Sequence, residues 1–470
     1  MGGSHLGLLS RKLLARCATR PLLVAVTTTV TITVTIAIVL TGCTGASDDD
    51  TPSNPDAATA HDAGRVADAP VPDVPDASIP DASAPDAIPF VPEPIPLVDE
   101  APAPPCPDST PPYTFQFLDD TCGARRQPSF IDRDQRCPNA HRAAPDYFPS
   151  STAPVVDADA LVGLVPDTLD VTVFLIHRVD GVPHYRVLSN GSHDRAVQPW
   201  STSKFLAAAN AAANLRIASA YTVGLTASVD EYPLGDLITS LHNYDASPFS
   251  SNSIGRYLHD LGGRARANAL IHEAWLGRPA DESFGGNYGA AAPPLGHTLV
   301  EPVGDSVTLI PDSASGYANH LSMFTLADAL RRLVLHREEP DLRLPGIQWA
   351  DLRVLLHGAE DSARYGEWGG MSADKAIYLQ AHDMDWIDRR SHGRWRSYSK
   401  LGNGSEGQFL DVGYACFPSL DDAGRPVLDA GVELVIAAHL PSGGATWAAR
   451  DRLLASAFRA VVIRAIDGRL

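Results

Sequence analysis

The chain has 470 residues, of which 44% are hydrophobic and 20% are charged, and its formal net charge at pH 7 is −19. This composition is that of globular protein, and the length permits two or three domains. An acidic chain without clusters of Lys and Arg is not suited to the phosphate backbone of nucleic acids, so we expect no nucleic-acid partner.

The N-terminus has the pattern of an export signal. Four basic residues lie between positions 11 and 20, and an uncharged, largely apolar run follows from Leu22 to Leu40. The tetrapeptide Leu40-Thr41-Gly42-Cys43 resembles a bacterial lipobox, whose cysteine is lipidated and becomes the new N-terminus. We therefore interpret residues 1–42 as a lipoprotein signal peptide and Cys43 as the lipidation site. A run of this length can also span a bilayer uncleaved, and both alternatives place the remaining chain outside the cytoplasm.

The next segment, residues 43–105, consists almost wholly of Asp, Ala, Pro, Ser and Val, with loose repeats such as Pro80-Asp81-Ala82. It has too little apolar bulk to offset the entropy lost on ordering, so we expect a flexible spacer with polyproline character. Its acidic residues are interpreted as solvated charge, so the net charge says little about ligands. Residues 106–164 form a cysteine-containing extension to which the sequence assigns no role.

The cysteines predict disulfides. Cys17 is lost with the signal peptide and Cys43 is lipidated, which leaves an even number in an oxidising compartment. We expect one bridge to tie the extension to the body of the protein, while all three connectivities stay open. The four candidates are Cys106, Cys122, Cys137 and Cys416. No Cys-x-x-Cys pair or close histidine cluster is present, so we expect neither a metal nor a cofactor.

Residues 165–470 have the pattern of a folded domain that begins with a hairpin. Val171 to His177 and Tyr185 to Leu188 are apolar runs separated by the turn signal Asp180-Gly181. The alanine-rich run from Phe205 to Leu215 predicts a helix packed inside the domain, because alanine has the highest helix propensity and a small side chain.

Further helices and strands follow in blocks. Helical patterns cover residues 234–241, 254–261, 265–275 and 325–335, and strand patterns cover residues 396–400, 409–417 and 432–439 before a last helix over residues 446–464. The first two and last three strands can join one sheet although they are distant in sequence. We therefore predict an α+β fold, with a five-stranded antiparallel sheet flanked by helices and an all-helical subdomain.

The pair Ser201 and Lys204 is the candidate catalytic unit. A hydroxyl is a weak nucleophile until a base removes its proton, and residues three apart on a helix lie on the same face. A lysine can be that base only when burial or a nearby positive charge lowers its pKa. The apolar start of the predicted helix would bury Lys204.

A second Ser-x-x-Lys tetrapeptide, Ser372 to Lys375, contains an acid and has neither a hairpin before it nor an apolar helix after it, so we interpret it as structural. Lysine is rare in this chain, which uses arginine freely and has Lys only at positions 12, 204, 375 and 400. Because arginine holds its proton and cannot act as a base, a retained lysine is a candidate for proton chemistry.

Three motifs then occur in order: Ser201-Thr202-Ser203-Lys204, Ser250-Ser251-Asn252 and Lys400-Leu401-Gly402. Together they resemble the ordered motifs of serine β-lactamases and penicillin-binding proteins, and the layout is most similar to class A β-lactamases. The resemblance covers roughly residues 165–468 and implies that family's fold and acyl-transfer chemistry.

The resemblance also implies a role for each matching residue. Ser201 would attack the carbonyl, Lys204 would accept its proton, and Ser250 would relay that proton to the leaving nitrogen. Asn252 would bind the substrate amide, and Lys400 would hold Ser250 and a substrate carboxylate.

The third motif would also supply substrate-binding backbone next to the nucleophile. Gly402 and Asn403 belong to this segment, and the N–H groups of Ser201 and Asn403 would form the oxyanion hole.

The chain departs from the pattern at two positions. Leu401 stands where the family has a hydroxyl that helps to bind the substrate carboxylate. Class A enzymes also need a loop glutamate that activates water, and Glu282 lies in the right region with the wrong spacing, so we interpret it as a solvated loop acid. Without such a base the acyl-enzyme would be released slowly.

We therefore expect an exported, lipid-anchored serine hydrolase that forms an acyl-enzyme on Ser201 with a β-lactam or a peptidoglycan-type peptide and acts as a monomer. Two alternatives stay open: a DD-peptidase or penicillin-binding protein with slow deacylation, and a catalytically silent binding or scaffold protein that keeps the fold.

Overall fold

The computed structural model describes residues 133–470 apart from 245–247, 287, 313–316, 366–368, 374–380, 405–407 and 442–446. The predicted signal peptide, the spacer, Cys43, Cys106 and Cys122 lie outside the described residues. Within the part that is described, none of the helices has the length and apolarity needed to cross a membrane.

The described residues form strands and helices in the predicted block order. The strands are β1 Phe148–Pro149, β2 Val156–Asp157, β3 Asp170–Val179, β4 Val182–Ser189, β5 Ser228–Val229, β6 Tyr232–Pro233, β7 Thr298–Val300, β8 Ser306–Thr308, β9 Arg396–Asn403, β10 Phe409–Phe417 and β11 Val432–Leu440. The α-helices are α1 Lys204–Ala218, α2 Leu234–Asn243, α3 Ser251–Gly262, α4 Arg264–Ala269, α5 Met323–Val334, α6 Trp349–His357, α7 Ala381–Ser391 and α8 Trp447–Ile466. Short 3₁₀ turns occupy Trp200–Ser203, Pro340–Leu342 and Gly370–Ala373, and a π-helical turn occupies Leu270–Ala274.

The five long strands form the predicted antiparallel arrangement in the order β4-β3-β11-β10-β9. The predicted strand number is nevertheless wrong, because the sheet has seven strands. The two additional strands, β1 and β2, have two residues each and both pair with the outer edge of β4. An unpaired strand edge exposes N–H and C=O groups that a neighbouring chain segment can satisfy, and here the N-terminal extension supplies those segments.

The sequence predicted an all-helical subdomain between the first hairpin and the last three strands. That prediction is wrong. The subdomain contains a second sheet of four strands in the order β6-β5-β7-β8, none longer than three residues. Strands this short have too few residues to show an alternating apolar pattern, which explains why the sequence did not reveal them.

The main sheet is covered by a hydrophobic core on each face. Every residue of β10 and β11 is buried, because alternate side chains enter opposite cores. In β11, Val435 and Ala437 contact the core that contains α1 and α5, whereas Leu434 and Ile436 contact the core that contains α8. Nearly all of α1 is buried, and its many alanines allow neighbouring elements to approach it closely.

A disulfide joins Cys137 of the extension to Cys416 of β10, across 279 residues of sequence. This is one of the pairings that the sequence left open. Both cysteines are buried, so the bridge lies inside the protein. The extension is therefore bound covalently to β10, the strand that pairs with β9, which carries the third motif.

Candidate active site

Ser201 and Lys204 lie where a 3₁₀ turn continues directly into α1. The turn covers Trp200–Ser203 and the helix begins at Lys204. Ser201 is partly exposed, whereas the Lys204 side chain has no exposed surface. The pair thus combines a serine that has some exposed surface with a lysine that solvent does not reach.

Lys204 is held by polar groups at the start of α3. Its Nζ donates to Ser251 Oγ at 3.0 Å and to Asn252 Oδ1 at 2.7 Å. The ring centroid of Tyr288 lies 4.9 Å from the same nitrogen. Burial, together with the positive charge of Lys400, holds the pKa of Lys204 well below its ordinary value. A larger fraction of the amine is therefore neutral near pH 7, the form that can accept a proton from Ser201.

The second motif is arranged differently from its predicted role. Ser250 is the N-cap of α3: its exposed Oγ accepts from Ser253 N at 3.2 Å and donates to Ser253 Oγ at 3.0 Å. Among the described residues, Ser251 rather than Ser250 supplies the hydroxyl that contacts Lys204. The hydrogen bonds described for the Ser250 hydroxyl are with Ser253, and those described for Lys400 are with Tyr244 and Leu401.

Lys400 is completely buried, and one of its two described hydrogen-bond partners is Tyr244, a residue that the sequence did not single out. Its Nζ donates to the phenol oxygen of Tyr244 and to Leu401 O, the latter at 3.0 Å, and lies 4.0 Å from the centroid of the Tyr244 ring. Tyr244 is the C-cap of α2 and adopts a left-handed conformation with φ of +59°. No sequence signal pairs the two residues, which lie 156 positions apart.

Gly402 allows β9 to approach the 3₁₀ turn that carries Ser201. A Cβ at this position would lie 2.3 Å from Thr202 Oγ1 and 2.7 Å from Pro199 O, so a larger residue would push the strand away. Asn403, which ends β9, pairs with Phe409 of β10. The predicted substrate-binding segment is therefore beside the residue that follows Ser201.

A second contact holds the turn to the connection between β9 and β10. The indole Nε1 of Trp200 donates to Gln408 Oε1 at 2.8 Å, and Gly404 N donates to Gln408 O at 2.9 Å. Trp200 has a φ of +49°, a conformation that costs energy for a residue with a side chain. These contacts position the residue that immediately precedes Ser201.

The two positions at which the sequence departs from the β-lactamase motifs, Leu401 and Glu282, both have structural surroundings. The Leu401 side chain is buried in the core that contains α8, whereas Lys400 and Tyr244 lie on the other face of the strand. Glu282 was predicted to be a solvated loop acid, and this prediction is wrong, because the residue is only 1% exposed. Its carboxylate accepts from Ser322 N at 2.9 Å and Ser322 Oγ at 3.0 Å, where Ser322 is the N-cap of α5.

In the second Ser-x-x-Lys tetrapeptide, Lys375 lies outside the described residues. Its Ser372 lies in the 3₁₀ turn Gly370–Ala373, and the Ser372 Oγ donates to Gly369 O at 2.6 Å. In the described part of the chain, no group of three or more His, Cys, Asp or Glu residues is placed to hold a metal ion.

Comparison of the chain with protein-family profiles and with curated protein sequences found no match. Solved structures similar to the chain include a class A β-lactamase of the last common ancestor of Gram-negative bacteria, with 16% identity, a TM-score of 0.36 and coverage of 63% of this chain and 92% of that one. Another is a β-lactamase from Burkholderia vietnamiensis, with 17% identity, a TM-score of 0.36 and coverage of 63% and 90%.

Proposed function

We propose that this protein is a serine hydrolase of the β-lactamase and penicillin-binding kind, which forms an acyl-enzyme on Ser201 with a β-lactam or a peptidoglycan-type peptide. The observation that carries the proposal is the environment of Lys204. An amine that is buried, lies three residues after a partly exposed serine and has a lowered pKa is suited to act as the base.

In the proposed acylation, the Ser201 oxygen attacks the substrate carbonyl while its proton passes to the neutral amine of Lys204. A bond forms between Ser201 Oγ and the carbonyl carbon, the bond from that carbon to the leaving nitrogen breaks, and the proton that Lys204 accepted passes on to that nitrogen. The N–H groups of Ser201 and Asn403 stabilise the oxyanion. Asn252, which also accepts a hydrogen bond from Lys204, orients the substrate amide.

A second candidate, a DD-peptidase or penicillin-binding protein with slow deacylation, is favoured by the position of Glu282. This carboxylate caps the start of α5 through Ser322 and is not a partner of Lys204. Within the described residues, the groups around the Lys204 amine are the Ser251 hydroxyl, the Asn252 amide, two tyrosine rings and the ammonium group of Lys400. None of these is a carboxylate that could activate water, so we expect the acyl-enzyme to persist.

We also propose that the protein acts outside the cytoplasm, anchored through a lipid on Cys43, as a monomer that takes a small molecule or a peptidoglycan peptide. The support for this location is the basic and apolar N-terminus with its lipobox-like tetrapeptide.

The test is the intact mass of the protein after incubation with benzylpenicillin. We expect one adduct with the mass of the whole antibiotic, absent in Ser201→Ala and present in the matched control Ser372→Ala, which changes the serine of the other Ser-x-x-Lys tetrapeptide. An adduct that survives for minutes supports the penicillin-binding alternative. The absence of any adduct and of nitrocefin turnover would contradict both catalytic proposals and favour the scaffold alternative.

A further inference from the structure

A groove lies between α7 and α8, on the face of the main sheet opposite to the one that α1 covers. It has a volume of about 490 Å³. Its floor is apolar, because Ile387, Phe458 and Val462 line it and belong to the core that contains α8. Ile463 also lines it and is 39% exposed, so the groove opens at the protein surface. The groove is therefore separate from the site around Lys204.

The rim of the groove is positively charged. Arg389 and Arg459 line it and are exposed, and the guanidinium carbon of Arg390 lies 5.2 Å from the centroid of the Trp386 ring. Asp467, the carboxylate among the described lining residues, forms an ion pair with the arginine two residues later. An apolar floor with aromatic rings and a cationic rim is complementary to a ligand that is both apolar and acidic.

The chain itself contains a segment with this chemistry, outside the described residues. Residues 88–98 include six large apolar side chains and four prolines, whereas residues 44–87 include only four large apolar side chains. The acids Glu93, Asp99 and Glu100 lie within this run or directly after it, and no basic residue does. Proline-rich segments favour the polyproline II conformation, and aromatic-lined grooves bind that preformed conformation at a low cost in entropy.

The N-terminal extension passes close to the groove. Arg390, a groove residue, donates to Ala430 O at 2.8 Å, and the adjacent Asp429 N donates to Ala140 O of the extension at 2.9 Å. Residues 101–132 can span up to about 100 Å, because an extended chain covers roughly 3.3–3.6 Å per residue. The acidic and apolar segment can therefore reach the groove of its own molecule.

We propose that residues 88–100 bind in the groove between α7 and α8 of the same chain. Their apolar side chains pack on Trp386, Phe458 and Ile463, and their carboxylates face the arginines of the rim. Because the segment is tethered, its effective concentration is roughly millimolar, so weak contacts are sufficient. This inference does not rest on the proposed acyl transfer.

Binding of the segment would change the tether of the domain. If Cys43 carries the anchor, as proposed, the free chain runs from residue 43 to the start of the described domain at residue 133. A segment bound from residue 88 onward about halves that length. Because the reach of a flexible chain grows with its length, the bound segment would keep the domain closer to the membrane.

The test is photocrosslinking in the full-length protein, with Ile463→p-benzoylphenylalanine and identification of the crosslinked peptides by mass spectrometry. We expect the main crosslink to be with residues 88–100 of the same chain, at a yield that does not change with protein concentration. The matched control places the same photoreactive residue at Val303, which is 84% exposed and does not line the groove. It should give no crosslink to that segment.

Charge reversal in the crosslinking protein tests the complementarity. Arg389→Glu/Arg459→Glu should lower the yield by about fivefold or more, because attraction at the rim becomes repulsion. Reversal of the segment, Glu93→Arg/Asp99→Arg/Glu100→Arg, should lower it to a similar extent. The protein that carries both sets of changes should regain the original yield to within about twofold.

Thermal unfolding of each variant verifies that the domain is folded, and Arg389→Glu alone replaces the double variant if the latter unfolds at a lower temperature. Arg425→Glu is the control, because Arg425 is 70% exposed and does not line the groove, and it should leave the yield unchanged.

Several results would overturn the proposal. One is a crosslink to a second copy of the chain, or to phospholipid when phosphatidylglycerol vesicles are added, instead of to residues 88–100. Another is the absence of any crosslink to that segment, and a third is an equal loss of yield in Arg425→Glu and in the rim variants. None of these results depends on acylation of Ser201, so they are distinct from a failure of the proposed function.

Discussion

The amine of Lys204 lies 2.7 Å from Oδ1 of Asn252, a residue 48 positions further along the chain. This contact joins the start of α1 to the first turn of α3. The amine that would accept the proton of Ser201 is therefore held by a neutral acceptor. Among the described residues, burial and the charge of Lys400 lower its pKa, and no carboxylate offsets them. The pH dependence of acylation should be sensitive to this arrangement.

Replacement of the neutral acceptor by an acid tests the arrangement. In Asn252→Asp, a negative charge beside the amine stabilises its protonated form and raises the pKa of Lys204. Because only the neutral amine accepts a proton, the acid limb of the pH profile for penicillin acylation should move upward by about 1–3 pH units. Asn214→Asp, a matched change at a residue bonded to Leu261 O, should leave the limb in place. An unchanged limb in Asn252→Asp would argue against Lys204 as the base.

Glu282 should contribute to stability and not to turnover. In Glu282→Ala, the buried N–H of Ser322 loses its carboxylate partner, which should lower the free energy of unfolding by about 1–3 kcal/mol. Deacylation per folded molecule should stay within about twofold. Glu360→Gln serves as the control, because that side chain is 72% exposed and should change stability by less than about 0.5 kcal/mol. A deacylation rate reduced tenfold at unchanged stability would make Glu282 the hydrolytic base.

The Cys137–Cys416 bridge should matter for stability because it closes a long loop. Its loss releases a constraint across 279 residues of the unfolded chain, and we expect the free energy of unfolding to fall by about 2–5 kcal/mol. The measurement is thermal unfolding with and without a reductant, in a Cys106→Ser/Cys122→Ser variant that retains only this described bridge among the four cysteines. Equal midpoints under the two conditions would show that the bridge contributes little.

His259 should make the protein sensitive to acid. Its ring is completely buried and stacks on Phe284 at 4.4 Å, and neither ring nitrogen has a partner among the described residues. Burial, with a smaller effect of the Arg264 charge, lowers the pKa of His259 to about 3. The folded state therefore keeps this histidine neutral, while the unfolded chain binds a proton below about pH 6.5.

This difference in proton binding makes the folded protein less stable at acid pH. Stability from the neutral ring is fully present above about pH 6.5 and decreases as the pH falls toward about 3. At pH 4.5 we expect a loss of about 2–3 kcal/mol relative to pH 7.5 from this residue. Chemical denaturation at the two pH values should show a smaller difference in His259→Phe than in the wild type. An identical difference in both proteins would contradict a role for His259.

Much of the local structure could be predicted from the sequence. The run from residue 409 to residue 417 matches β10, and the alanine-rich run predicted at residues 205–215 lies within α1. These elements were predictable because apolar periodicity and helix propensity act within a few residues. The two-residue strands β1 and β2 were not, since pairing with the edge of β4, and not their own composition, makes them strands.

For the site, the sequence by itself determined which residues can carry the chemistry: a serine three residues before a lysine, and a second lysine late in an arginine-rich chain. Only the tertiary structure decided which groups meet. It bonds Lys204 to Ser251 and Asn252, uses Ser250 as a helix cap, and brings Tyr244 to Lys400. The physical reason is that residue type sets what a group can donate or accept, whereas its partner depends on packing between elements distant in sequence.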